Sequence, residues 1–267
     1  MSDIDNLRKF HNWIKLQIIT DAKHTTKGKT LLDVAVGRGG DIFKWMKNEF
    51  TYVTGIDNDV KSIHEKNQFD GAIQRFNLMK TQMKVPRCYF WVISATDPDV
   101  LNKLNVKDRN CIYDVVSCQF SFHYFVKDID ITLNMISKKL KNGGLFIGTT
   151  SNGDQIYTEL EKTGNISTSI LNIQKIDESM YNYNLTPGNT NKITYFEFRG
   201  ALPEYFVFKR TLINKCKEYN LQLVRMNYFH EWYNVYDGKR LSHDEMHASF
   251  FNFSFAFKKI NVSNEGA

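Results

Sequence analysis

Apolar residues recur at Ile4, Leu7, Phe10, Ile14 and Ile18, three or four positions apart, and this spacing predicts an amphipathic helix over residues 3–20. The next apolar stretch, TLLDVAV at 30–36, has no such period and reads as a strand covered on both faces. A glycine turn follows, then a helical stretch DIFKWMKNEF and a second short strand, YVTGID, at 52–57. Residues 58–84 read as mostly helical, CYFWVIS (88–94) and IYDVVSCQ (112–119) as strands, and IDITLNMISKKLK (129–141) as a helix ended by Asn142-Gly143-Gly144. LFIGTTS (145–151) is the next strand.

Strands alternating with helices predict an α/β fold, a mostly parallel sheet with helices on both faces and ligands at the carboxyl ends of the strands. From 151 to 200 the composition shifts to Asn, Thr, Ser, Tyr and Gly, which breaks the alternation and reads as an inserted lobe. Pro203 suits the first position of a helix over EYFVFKRTLINKCKEYN, and LQLVRMNYF and SFFNFSFAFKK read as closing strands. The expectation is a single domain over 1–267, with a leading helical segment at 1–28 and the lobe at 151–200.

Composition narrows the class. With 42% apolar and 14% aromatic residues, 267 residues are enough for one well-buried domain. No apolar run is long enough to span a bilayer and the N-terminus lacks a secretory pattern, which predicts a soluble, intracellular protein with no membrane partner. The four cysteines stand singly, without a CxxC pair, so neither zinc nor a redox motif is expected. A net charge of +6, spread along the chain, suits an anionic partner or simply a solvated basic surface.

Candidate chemistry begins in LLDVAVGRGGD, residues 31–41, where Gly37, Gly39 and Gly40 clear a turn so that a ligand can lie against bare backbone before a helix. A dinucleotide fingerprint needs a third glycine at 42, but that residue is Ile42, and Asp41 at the helix start would repel a pyrophosphate. Asp57 ends the second strand, where an acid that binds ribose hydroxyls belongs. S-adenosylmethionine, with a ribose, no phosphate and a sulfonium, meets both constraints; a nicotinamide dinucleotide does not. Asp33 fits a loop cap or a ligand contact equally well, and Asp97, in ATDPD, fits a turn before Pro98 better than a contact with adenine.

The loop SCQFSFHYF (117–125), after the fourth strand, can pack Phe120 and Phe122 inward while Ser121, His123 and Tyr124 face a ligand. Plain core packing of the same residues is the competing reading. HDEMH (243–247) sets two histidines a helical turn apart but lacks the peptidase pattern and a third ligand, so no metal is expected.

Six segments, FHNWIK (10–15), LLDVAVGRGGD, CQFSFHYF (118–125), GGLFIGTTSNGD (143–154), PEYFVF (203–208) and SFAFKK (254–259), resemble in order and spacing the messenger RNA cap guanine-N7 methyltransferases. QFSFHY is the most specific, and the matches span nearly the whole chain. The Lys- and Asn-rich composition resembles the viral branch, the methyltransferase domains of large-DNA-virus capping enzymes like those of African swine fever virus. The resemblance implies a Rossmann-like class I methyltransferase fold with a mostly parallel seven-stranded sheet. It implies S-adenosylmethionine as cofactor, S-adenosylhomocysteine as product and 5′ capped RNA as substrate. RNA triphosphatase and guanylyltransferase domains of the same polypeptide would be partners, and the cytoplasm, a viral factory or the virion the location.

Position by position, the resemblance assigns Lys15, Asp33, the backbone at Ala35, Gly37, Asp57, Asp97, Gln119 and Tyr124 to the cofactor. His11, Asn12, Arg38, Arg75, His123, Tyr124, Ser151, Glu204 and Asn252 fall on the cap, with Arg38 and Arg75 on the triphosphate and His123, Tyr124 and Glu204 framing the guanine. Without it, Lys15 would be a solvated helix face and Glu204 a surface acid favourable to a helix dipole. His11, Ala35, Ser151 and Asn252 stand where the family has Asn, Gly, often Pro and often Tyr, so Phe251 or another aromatic would have to stack on the cap. Guanine N7 carries no proton, so the implied transfer is in-line and needs positioning rather than a general base. Two other functions compete: methyl transfer to a small molecule or protein, and a non-catalytic RNA-binding module on the same fold.

Overall fold

The computed structural model describes residues 4–66, 70–185 and 202–261; the stretch of the expected lobe at 186–200 lies outside them. Helix α1 (Asp5–Thr26) buries Leu7, Phe10, Ile14 and Ile18 along one stripe, the spacing that marked it in the sequence. There follow β1 (Thr30–Val34), α2 (Ile42–Lys47), β2 (Tyr52–Asp57), α3 (Val60–His64), α4 (Ala72–Lys80), β3 (Arg87–Val92), α5 (Val100–Asp108) and β4 (Tyr113–Gln119). A 3-10 turn (Phe122–Tyr124) leads to α6 (Ile129–Lys139), β5 (Leu140–Ser151) and α7 (Gly153–Thr163). Then come β6 (Asn165–Ser167), β7 (Leu171–Lys175), β8 (Met180–Leu185), β9 (Leu202–Tyr205), α8 (Lys209–Glu218), β10 (Leu221–Tyr228), α9 (Phe229–Tyr233), α10 (His243–Phe250) and β11 (Asn252–Lys259).

The seven-stranded sheet has the order β10-β11-β5-β4-β1-β2-β3, with β11 antiparallel to both neighbours and the other pairings parallel. Side-chain alternation splits the core: Leu31, Val115 and Ile147 face the α1 layer, while Leu32, Val116 and Phe146 face the layer that also holds Leu104 of α5, Ile136 of α6 and Leu212 of α8. The doubly wound order puts the carboxyl ends of β1, β2, β4 and β5 along one edge, where loops are free to build a site. Among the described residues no helix is long and apolar enough to cross a membrane.

Two elements depart from the pattern-based expectation. Pro203 does not open a helix: it lies in β9, the edge strand of a second, four-stranded antiparallel sheet β6-β7-β8-β9, and the helix starts at Lys209. An edge strand tolerates the missing N–H as readily as a first helical turn does. Asn142-Gly143-Gly144 does not stop α6 either. It forms a bulge inside β5, with Tyr113 opposite Leu140 but Val115 opposite Leu145.

Candidate functional site

The glycine loop leaves β1 through three left-handed residues, Ala35 (φ 59°), Gly37 (φ 53°) and Gly39 (φ 71°). A Cβ on Gly39 would lie 2.5 Å from Ile42 Cδ1, so the fully buried Ile42 fills by packing the place where a dinucleotide site has its third glycine. A Cβ on Gly37 would meet nothing within 4 Å, which leaves room above the loop for a ligand. Across the loop, Asp57 is pinned at the end of β2: Gly37 N–H donates to its Oδ2 at 2.8 Å and Asp59 N–H to its Oδ1 at 2.9 Å.

Asp41 is not the bare repelling charge the sequence suggested. Lys15 Nζ and Lys44 Nζ each stand 2.8 Å from its Oδ1, and all three groups are largely buried. Burial alone would raise the Asp41 pKa, but the two ammonium groups hold it at about 2. Lys44 also donates to Asn12 Oδ1 at 2.9 Å and Gly40 O at 3.1 Å, so α1 and the loop are tied at one cation. Burial, with Asp41 nearby, pushes the Asp33 carboxyl well above its usual range.

At the end of β4, Phe120 takes φ 52°, donates its N–H to Thr149 O at 2.8 Å, and carries the His11 ring stacked on it at 5.0 Å. His11 Nε2 lies 2.9 Å from Ser249 Oγ; burial, aided by Lys15, lowers its pKa to about 3 and keeps it neutral. In the 3-10 turn Phe122 enters the core, His123 is buried against the Tyr124 ring at 4.2 Å, and Tyr124 is 41% exposed. His123 Nε2 is 3.4 Å from Glu204 Oε1.

Glu204 is buried on β9, directly opposite Tyr181 of β8, whose hydroxyl donates to its Oε2 at 2.7 Å. Desolvation raises the Glu204 pKa to about 7, against the Tyr181 hydrogen bond, and lowers that of His123 to about 3. Tyr183, two residues on, feels both Glu204 and Tyr124, and the buried Ser151 at the end of β5 adjoins Tyr181. One titratable carboxyl, a neutral imidazole and the Tyr181 ring are thus packed together away from water, with the half-buried Tyr183 and the exposed Tyr124 beside them.

Arg38 of the glycine loop and Arg75 of α4 lie near enough, with Arg8 of α1, for their like charges to lower the Arg75 pKa, although burial is the larger cause. The structure thus brings the two expected arginines together and adds a third. The Gln119 amide bridges Ser117 (3.0 Å) and Thr149 (3.1 Å) at the end of β4.

Two assigned residues are otherwise engaged. Asp97 takes the Asp99 N–H at 2.8 Å and pairs with Lys103, the pattern of a turn opening α5. Asn252 donates its amide to the carbonyls of Ala248 (3.3 Å) and Ser249 (2.9 Å) at the end of α10. Those donors close the helix. Phe251 is 1% exposed and cannot serve as a stacking platform. In HDEMH, His247 lies 3.1 Å from Glu159 and His243 is exposed.

Lys44, Arg8, Tyr181 and Tyr183 escaped the sequence reading. Arg8 shares a helical stripe with His11, Asn12 and Lys15, at intervals of three, four and seven, which is the signal that could have found it. The alternation of Tyr181 and Tyr183 with Asn182 and Asn184 is a strand pattern hidden in a polar segment. Lys44 gave no signal beyond its place on α2.

Comparison with known proteins places this geometry in a family. Residues 1–250 match the family model described as the mRNA (guanine-N(7))-methyltransferase domain. A protein named probable mRNA-capping enzyme, of Acanthamoeba polyphaga mimivirus, is 28% identical over 88% of this chain and 22% of its own length. The mRNA cap guanine-N(7) methyltransferase of Drosophila melanogaster is 28% identical over 90% of this chain and 59% of its own. The chain thus spans less than two thirds of either relative. Among solved structures, an S-adenosylmethionine-dependent methyltransferase from Clostridium acetobutylicum superposes with a TM-score of 0.55, covering 94% of this chain and 92% of that one at 13% identity, a likeness of fold.

Proposed function

The chain belongs to the mRNA (guanine-N(7))-methyltransferase domain family, and on that premise we propose that it methylates N7 of the guanine capping messenger RNA, converting S-adenosylmethionine to S-adenosylhomocysteine. The observation that carries the proposal is the buried Glu204 carboxyl between Tyr181 and His123. A carboxylate there needs a ligand that brings donors with it, and guanine offers its N1–H and exocyclic amine side by side. Accepting both, Glu204 favours the positive charge that develops on the ring as N7 gains a methyl group. His123, Tyr124 and Ser151 bound the guanine, and Arg8, Arg38 and Arg75 meet the triphosphate, for which the guanidinium fork is suited.

The residues at the ends of β1 and β2 fit S-adenosylmethionine. Asp57, fixed by two amide donors, presents an acceptor to the ribose hydroxyls; the open space over Gly37 takes the body of the ligand. Lys15, Asp33, the Ala35 backbone, Gln119 and Tyr124 complete the cradle, and Asp97 contributes through its turn. The cofactor supplies a methyl group already activated on sulfur. Since N7 carries a lone pair and no proton, no side chain has to act as a base, and the protein's task is to hold and align. The mimivirus similarity supports a place in a viral capping polypeptide beside triphosphatase and guanylyltransferase domains.

Incubation with GpppA-capped RNA and methyl-labelled S-adenosylmethionine, followed by nuclease digestion, should release labelled 7-methylguanosine. Label on another acceptor, or cap binding without transfer, would overturn the assignment.

A further inference from the structure

Phe43, five residues after Arg38 and in the first turn of α2, is 49% exposed to solvent. A single exposed apolar side chain is ordinary on a protein surface; the neighbours of this one are not. Helices α1, α2 and α4 cover the same face of the sheet and give Phe10, Trp45 and Ala72 to one core. Lys44 of α2 donates to Asn12 of α1 at 2.9 Å, and a Cβ on Gly39 would lie 3.3 Å from Ala72 Cα, so α2 sits between the other two. Each begins at the edge that carries the glycine loop, which sets Phe43 of α2 between Arg8 of α1 and Arg75 of α4.

The strand order separates this surface from the guanine pocket. His123 and Ser151, beside Glu204, stand at the ends of β4 and β5, while Arg38, Phe43 and Arg75 belong to the segments that join β1, β2 and β3. A cap with its guanine on Glu204 and its triphosphate on the arginines therefore brings the next nucleoside to the Phe43 side. Lys47, one turn beyond Phe43 on the same helix face, is exposed as well. Of the acids here, Asp41 is buried between Lys15 and Lys44, and Asp70 acts on Arg75; Arg8, Arg38, Lys47 and Arg75 outnumber it. An aromatic face among cations accepts a nucleic-acid base by stacking, with little regard to which base it is.

We propose that Phe43 is the stacking platform for the base of the first transcribed nucleotide, the one joined to the cap through the triphosphate. The assignment rests on the cap-methylation reading. Its test uses the dinucleotides GpppA and GpppG as substrates, and GTP, which has guanine and triphosphate but no second nucleoside, as a ligand in calorimetry. Phe43→Ala should raise KM for both dinucleotides about tenfold and leave kcat and GTP affinity unchanged. The salt dependence of dinucleotide binding should also stay the same, because no phosphate contact is lost. Phe43→Tyr, which keeps a ring, should restore the wild-type KM. Circular dichroism checks that both variants fold, as substitution of an exposed side chain allows. An unchanged KM in folded Phe43→Ala, an equal loss of GTP affinity, or no restoration by Phe43→Tyr overturns the stacking assignment and leaves the reaction standing. Methylation of neither dinucleotide by the wild type overturns the functional reading and the platform with it.

Discussion

The Tyr181 hydroxyl donates to Glu204 Oε2 at 2.7 Å across directly paired positions of β8 and β9, and both groups are shut away from water. The bond does two things: it orients the carboxyl towards His123, and it pulls the Glu204 pKa down against the larger effect of burial, to about 7.

Loss of that carboxyl should therefore cost turnover and spare the cofactor. Glu204→Ala is expected to lower kcat/KM for capped RNA by about 10²–10³, with S-adenosylmethionine affinity unchanged by calorimetry. Tyr181→Phe should cost about tenfold, the range of a hydrogen bond to a charged group.

The same pair sets the pH dependence of activity. Only the ionised carboxylate accepts both guanine donors, so kcat/KM should rise with pH through about 7 and then level off. Tyr181→Phe removes a donor to the ionised form, so the midpoint should move to higher pH. A profile whose midpoint is the same in Tyr181→Phe and in the wild type would refute the orientation argument.

Stability should run the other way. The folded-state pKa of Glu204 is raised from 4.5 to about 7, so between those values the folded protein binds the proton that the unfolded chain has lost. The contribution is complete below pH 4.5 and lost as pH rises through 7, amounting to about 3 kcal/mol for this buried group. Glu204→Gln, neutral at every pH, should be more stable than the wild type at pH 8 and close to it at pH 4.5, measured by urea denaturation at the two pH values.

The parts of this site that depend on chain order were legible in advance, and those that depend on pairing were not. Strand, glycine turn and Asp57 follow from local periodicity and one loop, and the structure joins them through the Gly37–Asp57 hydrogen bond. Glu204 was found only by resemblance, because Pro203 serves a helix start and an edge strand equally well and the sequence offered no means to choose. Asp41 was read as a free charge because neither Lys15, twenty-six positions earlier, nor Lys44 announces that it folds back onto it. Tyr181 was lost in an Asn-rich stretch whose burial comes from a sheet partner some twenty residues away.

Asp57 holds its place through two backbone amides rather than through the core. Asp57→Ala should fold and keep capped-RNA affinity, while S-adenosylmethionine binding weakens by about 10- to 100-fold in calorimetry. Unaltered cofactor affinity would remove Asp57 from the ribose.

Ala35 adopts φ 59°, a conformation in which a side chain costs roughly 1–2 kcal/mol. Glycine relieves that strain but frees the unfolded chain by about 0.4–1 kcal/mol. Ala35→Gly should accordingly gain about 0.5–1 kcal/mol in urea denaturation, and with the methyl gone from the loop it should bind S-adenosylmethionine more tightly. Ala35→Val, β-branched at positive φ, should lose both.

Far from the site, Lys139 Nζ and Asp108 Oδ2 meet at 2.7 Å with side chains 2% and 0% exposed, joining α6 to α5 beneath the sheet. Asn105 Oδ1 accepts from the same ammonium at 3.0 Å, and the Tyr113 hydroxyl lies 3.0 Å from Asp108. Every charge there is matched, so removing one partner strands the other in a place water cannot reach. Lys139→Met or Asp108→Leu alone should each destabilise by about 3–5 kcal/mol, whereas the two together should recover most of the loss, because apolar packing can replace a buried pair at little net cost. Denaturation of the two single variants and the double variant forms a cycle whose coupling energy measures the pair. A double variant no better than the sum of the singles would mean that the network around Tyr113, not the ion pair, holds these helices in place.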